Sequence, residues 1–264
     1  MVHPKPRERL TRFWQDDHGL GILLVFIATS VFILGPLRDL GVLGHLSLGI
    51  AFSLILLSGI AATARTRGVA IFFAVVVLLT QVVHWVSWAD PDNWLALPDA
   101  LASLVATALL TGIITVQVFR EGPVTLGRIN GAITVYLLIG LIFDFAYTAT
   151  RLAIPDAFAM TTPLPSDAAA TSSFLYFSLS TLTTVGYGDI VAVNPLARSL
   201  ANLESLIGQM FPAVLLARLV SMELYYRQRS FEREQAELDR RAIAGEIARM
   251  LKDESKPDEG TRHN

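Results

Sequence analysis

The chain has 264 residues, 53% of them hydrophobic and only 17% charged, with a mean hydropathy of +0.51. A water-soluble domain of this length carries more charge, so the composition points to an integral membrane protein, and a net charge of −2 gives no support to a nucleic-acid partner. The absence of cysteine excludes disulfides, thiol nucleophiles, iron–sulfur clusters and Cys-type zinc sites.

The first residues are charged and polar up to about Asp17, with no small-residue cleavage site before the first apolar run, so no cleavable leader is expected. A helix needs about 20 apolar residues to cross a bilayer. Six stretches meet this: Gly19–Leu37, Val42–Ala64, Gly68–Trp88, Pro98–Phe119, Ile129–Thr150 and Pro195–Val220. The tight links Arg38-Asp39-Leu40-Gly41 and Arg65-Thr66-Arg67-Gly68 predict antiparallel neighbours. Trp85, Trp88 and Trp94 crowd the end of the third span like an interfacial belt.

Basic residues set the expected orientation. Lys5, Arg7, Arg9 and Arg12 precede the first span, Arg65 and Arg67 follow the second, Arg120 and Arg128 follow the fourth, and a dense set begins at Arg227. The loop after the third span is acidic (Asp90, Asp92). The positive-inside rule then puts both termini in the cytoplasm and the loop between the last two spans outside, in the cell (inner) membrane. The resulting plan is a cytoplasmic N-terminus (1–18), a four-helix membrane module (19–119), a cytoplasmic linker (120–128), a two-span domain (129–220) and a cytoplasmic helical tail (221–264). In the tail Leu224, Phe231 and Leu238 recur every seven residues, but Gln228 and Gln235 fall where a second apolar position should be. A solvated helical extension that frays near Lys256 is expected there in preference to a stable coiled coil.

Between the last two spans lies Ser172–Leu182, apolar but too short to cross, followed by Thr183-Thr-Val-Gly-Tyr-Gly-Asp189. Non-helical backbone is tolerated at membrane depth only where protein or a water-filled cavity surrounds it. A narrow pore must replace an ion's water with oxygens, and backbone carbonyls do so when successive C=O groups face one axis. That arrangement needs backbone angles that L-residues avoid, and glycine at alternate positions, here Gly186 and Gly188, supplies them.

This heptapeptide resembles the signature of potassium-channel selectivity filters, and residues 129 to 225 resemble the pore domain of the tetrameric potassium-channel superfamily. The resemblance implies an all-α membrane fold of six transmembrane helices, with a re-entrant pore helix and filter between the fifth and sixth. It also implies a homotetramer, since four filter strands must surround an ion and each chain carries one. The carbonyls of Thr184, Val185, Gly186 and Tyr187, with the Thr184 hydroxyl at the inner end, would form the K+ sites. Gly188 would complete the outer mouth, and the Tyr187 ring would point away from the axis against the pore helix. Thr183, Asp189, Tyr176 and Ser180 would support the filter. Where many family members carry a Trp pair, this chain has Tyr176 and Phe177. Tyr176 and Ser180, four residues apart on one helix face, are expected to hydrogen-bond the Asp189 carboxylate.

Gly208 stands where the family often has a hinge glycine, and Pro212 follows one turn later; the pair reads as a gate, or Gly208 as a packing residue. Among ionisable residues, His45 and Arg198 lie near span ends, while His84 and Asp144 lie toward outer ends and are expected to be hydrated. Glu204 is deeper: it either lines the vestibule or faces a polar group on another span. Arg218 reads as snorkelling to headgroups. The fourth span, Asp99–Phe119, has no Arg or Lys inside it, so voltage sensing is not carried over from six-span relatives. The reading is a potassium-selective channel without enzymatic activity or cofactor, embedded in the lipid bilayer, whose gating ligand the sequence does not name. Two readings compete with it: a weakly selective cation channel, and a non-conducting membrane sensor or regulatory subunit. A membrane-embedded enzyme finds no HExxH, GxSxG or paired-His motif.

Overall fold

A computed structural model of the protein describes residues 18–40, 46–63, 67–89, 94–120, 125–161 and 167–254. The N-terminal basic residues, His45, the turn at 64–66, the acidic residues Asp90 and Asp92 and the expected fraying at Lys256 lie outside the described residues. The elements are helices α1 (His18–Thr29), α2 (Gly35–Asp39), α3 (Leu46–Thr63), α4 (Arg67–Trp88), α5 (Ala96–Val118) and α6 (Leu126–Ala153), then strand β1 (Phe158–Met160), helix α7 (Asp167–Leu182), strand β2 (Ile190–Ala192) and helix α8 (Pro195–Glu254). A π-helical turn, Ser30–Leu34, joins α1 to α2. Its cause is local: Pro36 has no N–H for the carbonyl four residues earlier, and the Gly35 N–H bonds to the Ser30 carbonyl across the wider turn.

Five described helices are long and apolar enough to cross a membrane: Gly19–Leu37, Gly68–Trp88, Ala96–Val118, Leu126–Ala153 and Pro195–Arg241. The second expected span appears as α3, whose apolar stretch Ser47–Ile60 is shorter. The sixth does not stop at Val220, because the helix formers that follow it continue as helix to Glu254. Among the described residues, those up to 217 make one compact unit and 218–254 make a second.

The core of the first unit is built from Leu23 and Ile27 of α1, Leu56 of α3, Phe73 of α4, Leu110 and Ile114 of α5 and Leu138 of α6, all fully buried. Several buried hydroxyls turn back onto their own helices, as Thr111 does to the Thr107 carbonyl (2.7 Å) and Thr150 to the Ala146 carbonyl (2.7 Å). This satisfies them where no water is at hand. Thr125 caps α6 by accepting the Arg128 N–H at 3.4 Å, and Asn194 caps α8 by accepting the Leu196 N–H at 2.9 Å, with Pro195 in the first turn where no N–H is needed.

The mostly helical architecture carries one short sheet. β1 and β2 pair antiparallel, with Phe158 opposite Ala192 and Met160 opposite Ile190. This clasp joins the end of α6 to the start of α8, and Arg198 reinforces it by donating from Nε to the Ala192 carbonyl at 3.1 Å. Everything between the strands, α7 and the glycine-bearing segment, is thereby held as a closed excursion.

Candidate functional site

The site grows out of the C-terminal end of α7. The Thr183 N–H bonds to the Leu179 carbonyl at 3.0 Å and the Thr184 N–H to Thr181 at 2.9 Å. The Val185 and Gly186 N–H groups then share the Ser180 carbonyl at 2.8 and 3.1 Å. The helix end is thus closed by the chain that leaves it, and it carries the negative end of the α7 dipole.

From there φ alternates in sign. Thr184 (+61°), Gly186 (+56°) and Gly188 (+80°) lie at positive φ, while Val185 and Tyr187 between them do not. In an ordinary strand successive carbonyls point to opposite sides; flipping alternate residues to the other hand brings them to one side. The two glycines take these angles freely. Thr184 carries a β-carbon in a region that costs an L-residue of order 1–2 kcal/mol, so its surroundings hold it there. One holding contact is Gln209 of α8, whose Nε2 donates to the Thr184 hydroxyl at 3.1 Å. At the other end the Asp189 carbonyl accepts from the Thr161 N–H (2.9 Å) and hydroxyl (3.1 Å), tying the segment to the strand clasp.

Within the chain this segment is open. Val185 is 54% exposed and Tyr187 68%, and a β-carbon at Gly186 or Gly188 would meet nothing within 4 Å. The Tyr187 ring stacks on Tyr176 of α7 at 5.9 Å and 10° between planes. Tyr176 also lies in range of the Asp189 carboxylate. Ser180 does not join them. Its hydroxyl donates to the Phe177 carbonyl one turn back at 3.1 Å, and Asp189 Oδ1 accepts from the Ile190 N–H at 3.1 Å. Phe177, next to Tyr176, turns the opposite way into an aromatic cluster with Tyr147, Phe158 and Phe174, its ring 4.9 Å from Tyr147.

Behind α7 the inner part of α8 presses closely. A β-carbon on Gly208 would sit 1.8 Å from the Leu182 carbonyl oxygen, so the glycine is needed for close backbone approach. The same carbonyl accepts the Tyr136 hydroxyl of α6 at 3.2 Å, and the Tyr136 ring stacks on Phe211. Pro212 lies within α8 and leaves the Gly208 carbonyl without its helical partner. Glu204 is fully buried (0% exposed) and faces other helices: Tyr147 of α6 donates to its Oε2 at 2.5 Å, and Ser178 of α7 bonds its Oε1. Of the two alternatives drawn from sequence, the polar group on another helix is the one seen.

One expectation is overturned. Asp144 is only 4% exposed, since it lies on the α6 face turned toward α7 and α8, so it is not hydrated. His84 stays partly exposed and is also paired: its Nδ1 lies 3.1 Å from both Asp99 carboxylate oxygens, joining α4 to α5. Asp99, Tyr136, Tyr147, Ser178 and Gln209 were not singled out from sequence. The one signal available was the spacing Tyr136, Gly140, Asp144, Tyr147, which puts all four on one face of α6. Among the described residues no group of three or more His, Cys, Asp or Glu side chains forms a metal-ion cluster.

A family described as "Ion channel" matches residues 131–224, the stretch that contains this whole assembly. The protein LctB of Bacillus caldotenax is 31% identical over 129 residues, 46% of this chain and 93% of LctB. The inward rectifier potassium channel Kirbac3.1 of Paramagnetospirillum magnetotacticum is 35% identical over 92 residues, 35% of this chain. The chain belongs to the potassium-channel superfamily. It spans 27% of the length of the inward rectifier, so the likeness is confined to a part of that protein.

Proposed function

We propose that the chain is one subunit of a potassium-selective channel that conducts passively through a pore built from four copies. The observation that carries this reading is the alternation of positive φ at Thr184, Gly186 and Gly188 on a segment left open in the single protomer. Carbonyls aligned on one side can replace the hydration shell of a dehydrated cation only when several copies surround it. An open segment with no neighbour inside its own chain suits that assembly. α7 acts as the pore helix, with its negative dipole end toward the ion path, and Tyr176, Tyr187 and Asp189 brace the filter from behind.

In this reading α3 completes a set of six membrane-crossing helices, residues 19–119 form a module beside the pore, and both termini are cytoplasmic in the cell membrane. The channel is not voltage-gated. α5 carries no Arg or Lys between Ala96 and Val118, and moving one elementary charge through 100 mV is worth only about 2.3 kcal/mol, so steep gating needs several such charges per subunit. The test is potassium-gradient-driven flux in proteoliposomes containing the purified chain, with sodium as comparator. Potassium flux well above sodium flux is expected. Equal flux of both ions would favour the weakly selective channel, and no flux of either the non-conducting sensor; each outcome would overturn the reading.

A further inference from the structure

The hydrogen bonds around Glu204 can be satisfied in one way only if each is to have a proton. The Ser178 hydroxyl lies 2.7 Å from the Gly140 carbonyl and also contacts Glu204 Oε1. A serine hydroxyl has one proton, and a carbonyl has none to give. The Ser178 proton therefore goes to Gly140, and the proton between Ser178 and Glu204 must come from Glu204. Oε2, the remaining oxygen, accepts from the Tyr147 phenol. The result is a directed chain, Tyr147 to Glu204 to Ser178 to the Gly140 carbonyl, in which each donor strengthens the next. The same site disfavours a carboxylate. Glu204 is fully buried, and a second acid, Asp144 of α6, is buried too, its Oδ1 without a hydrogen-bond partner among the described residues. The partners that Glu204 has are hydroxyls, and among the described residues no cation pairs with it to offset a buried negative charge.

We infer that Glu204 is a positioning residue that works as the neutral acid, its carboxyl proton fastening the pore helix α7 through Ser178 to the outer helix α6. Three elements meet at this one group, and α7 carries the 183–189 segment directly on its end. The role rests on the pore reading above. Its test has a spectroscopic arm that does not.

The full chain, reconstituted in liposomes, is compared with Glu204→Gln and Glu204→Ala. Gln keeps the shape of the neutral acid, donating to Ser178 and accepting from Tyr147, whereas Ala leaves both hydroxyls without that partner. The infrared difference between wild type and Glu204→Gln at neutral pH is expected to show a protonated-carboxyl C=O band belonging to the wild type. Potassium flux is expected to survive in the Gln variant and to fall by about tenfold or more in the Ala variant, the scale set by the buried Tyr147 hydroxyl left without its acceptor. A carboxylate band in place of the protonated one overturns the inference, as does a Gln variant that loses flux along with Ala. If wild type itself carries no potassium, the pore reading fails while the infrared band still decides the state of Glu204.

Discussion

Substituting Gly208 by Ala puts a methyl group 1.8 Å from the Leu182 carbonyl oxygen and 2.7 Å from its carbon. The closest comfortable carbon–oxygen contact is about 3.3 Å, so α8 or the end of α7 must yield by about 1.5 Å. Both obstacles are backbone, and no rotamer change relieves them. Overpacking of this kind costs about 1–3 kcal/mol, of which the better helix propensity of Ala returns up to about 1. A net cost of up to about 2 kcal/mol in every copy, after the full return from propensity, falls on the residue that precedes Thr183, so it is transmitted to the base of the 183–189 segment. The expected outcome is a tetramer that still assembles but loses potassium flux and the preference for potassium over sodium. Flux in proteoliposomes and the permeability ratio in single-channel recordings measure it. Gly112→Ala is the control: nothing lies within 4 Å of a β-carbon there, so it should be neutral or slightly stabilising. If Gly208→Ala alters open probability alone, with the permeability ratio unchanged, the close-contact argument is wrong and Gly208 is a hinge.

Gly186→Ala imposes a β-carbon at φ +56° with no steric neighbour, so its cost is purely conformational, about 1–2 kcal/mol per copy; potassium selectivity should be lost while assembly persists, and an unchanged permeability ratio would refute the role of the alternation. Gln209→Leu removes the donor to the Thr184 hydroxyl, worth about 0.5–1.5 kcal/mol per copy, and should lower single-channel conductance without dissociating the tetramer; wild-type conductance would show that the contact does not hold Thr184. Conductance–voltage curves in symmetric potassium should be shallow, and a fitted gating charge of several elementary charges per tetramer would mean that the four-helix module senses voltage by another route.

The glycine-bearing segment was legible because its geometry is written in residue type: glycine at alternate positions between two apolar spans suits little besides a strand of aligned carbonyls. The same logic named Thr184 but not its positive φ, which no residue preference announces, and it missed Gln209, which bonds the Thr184 hydroxyl. Tyr176 and Ser180 were paired on helical spacing. Spacing fixes a shared face but not where a hydroxyl's proton goes, and a serine in a helix always has a carbonyl one turn back within reach. Glu204 was conspicuous as an acid in an apolar run, yet its partners Tyr147 and Ser178 stand 57 and 26 residues away in sequence, and only the packing of α6, α7 and α8 brings them together. The strand clasp was missed because three-residue strands leave no period to detect.

The face spacing on α6 explains how one helix serves two structures. Ala132, Val135 and Leu138 pack into the apolar core shared with α1, α3, α4 and α5. Tyr136, Gly140 and Tyr147 lie on the face toward α7, where they bond the Leu182 carbonyl, the Ser178 hydroxyl and Glu204. The contacts on the first face are non-directional and tolerate small shifts. Those on the second are hydrogen bonds to groups that carry or adjoin the 183–189 segment, and they weaken steeply with angle. If the helices packed on the first face were displaced, α6 would pass the shift to that segment as a change in hydrogen-bond geometry. The helices need no charges of their own to exert it.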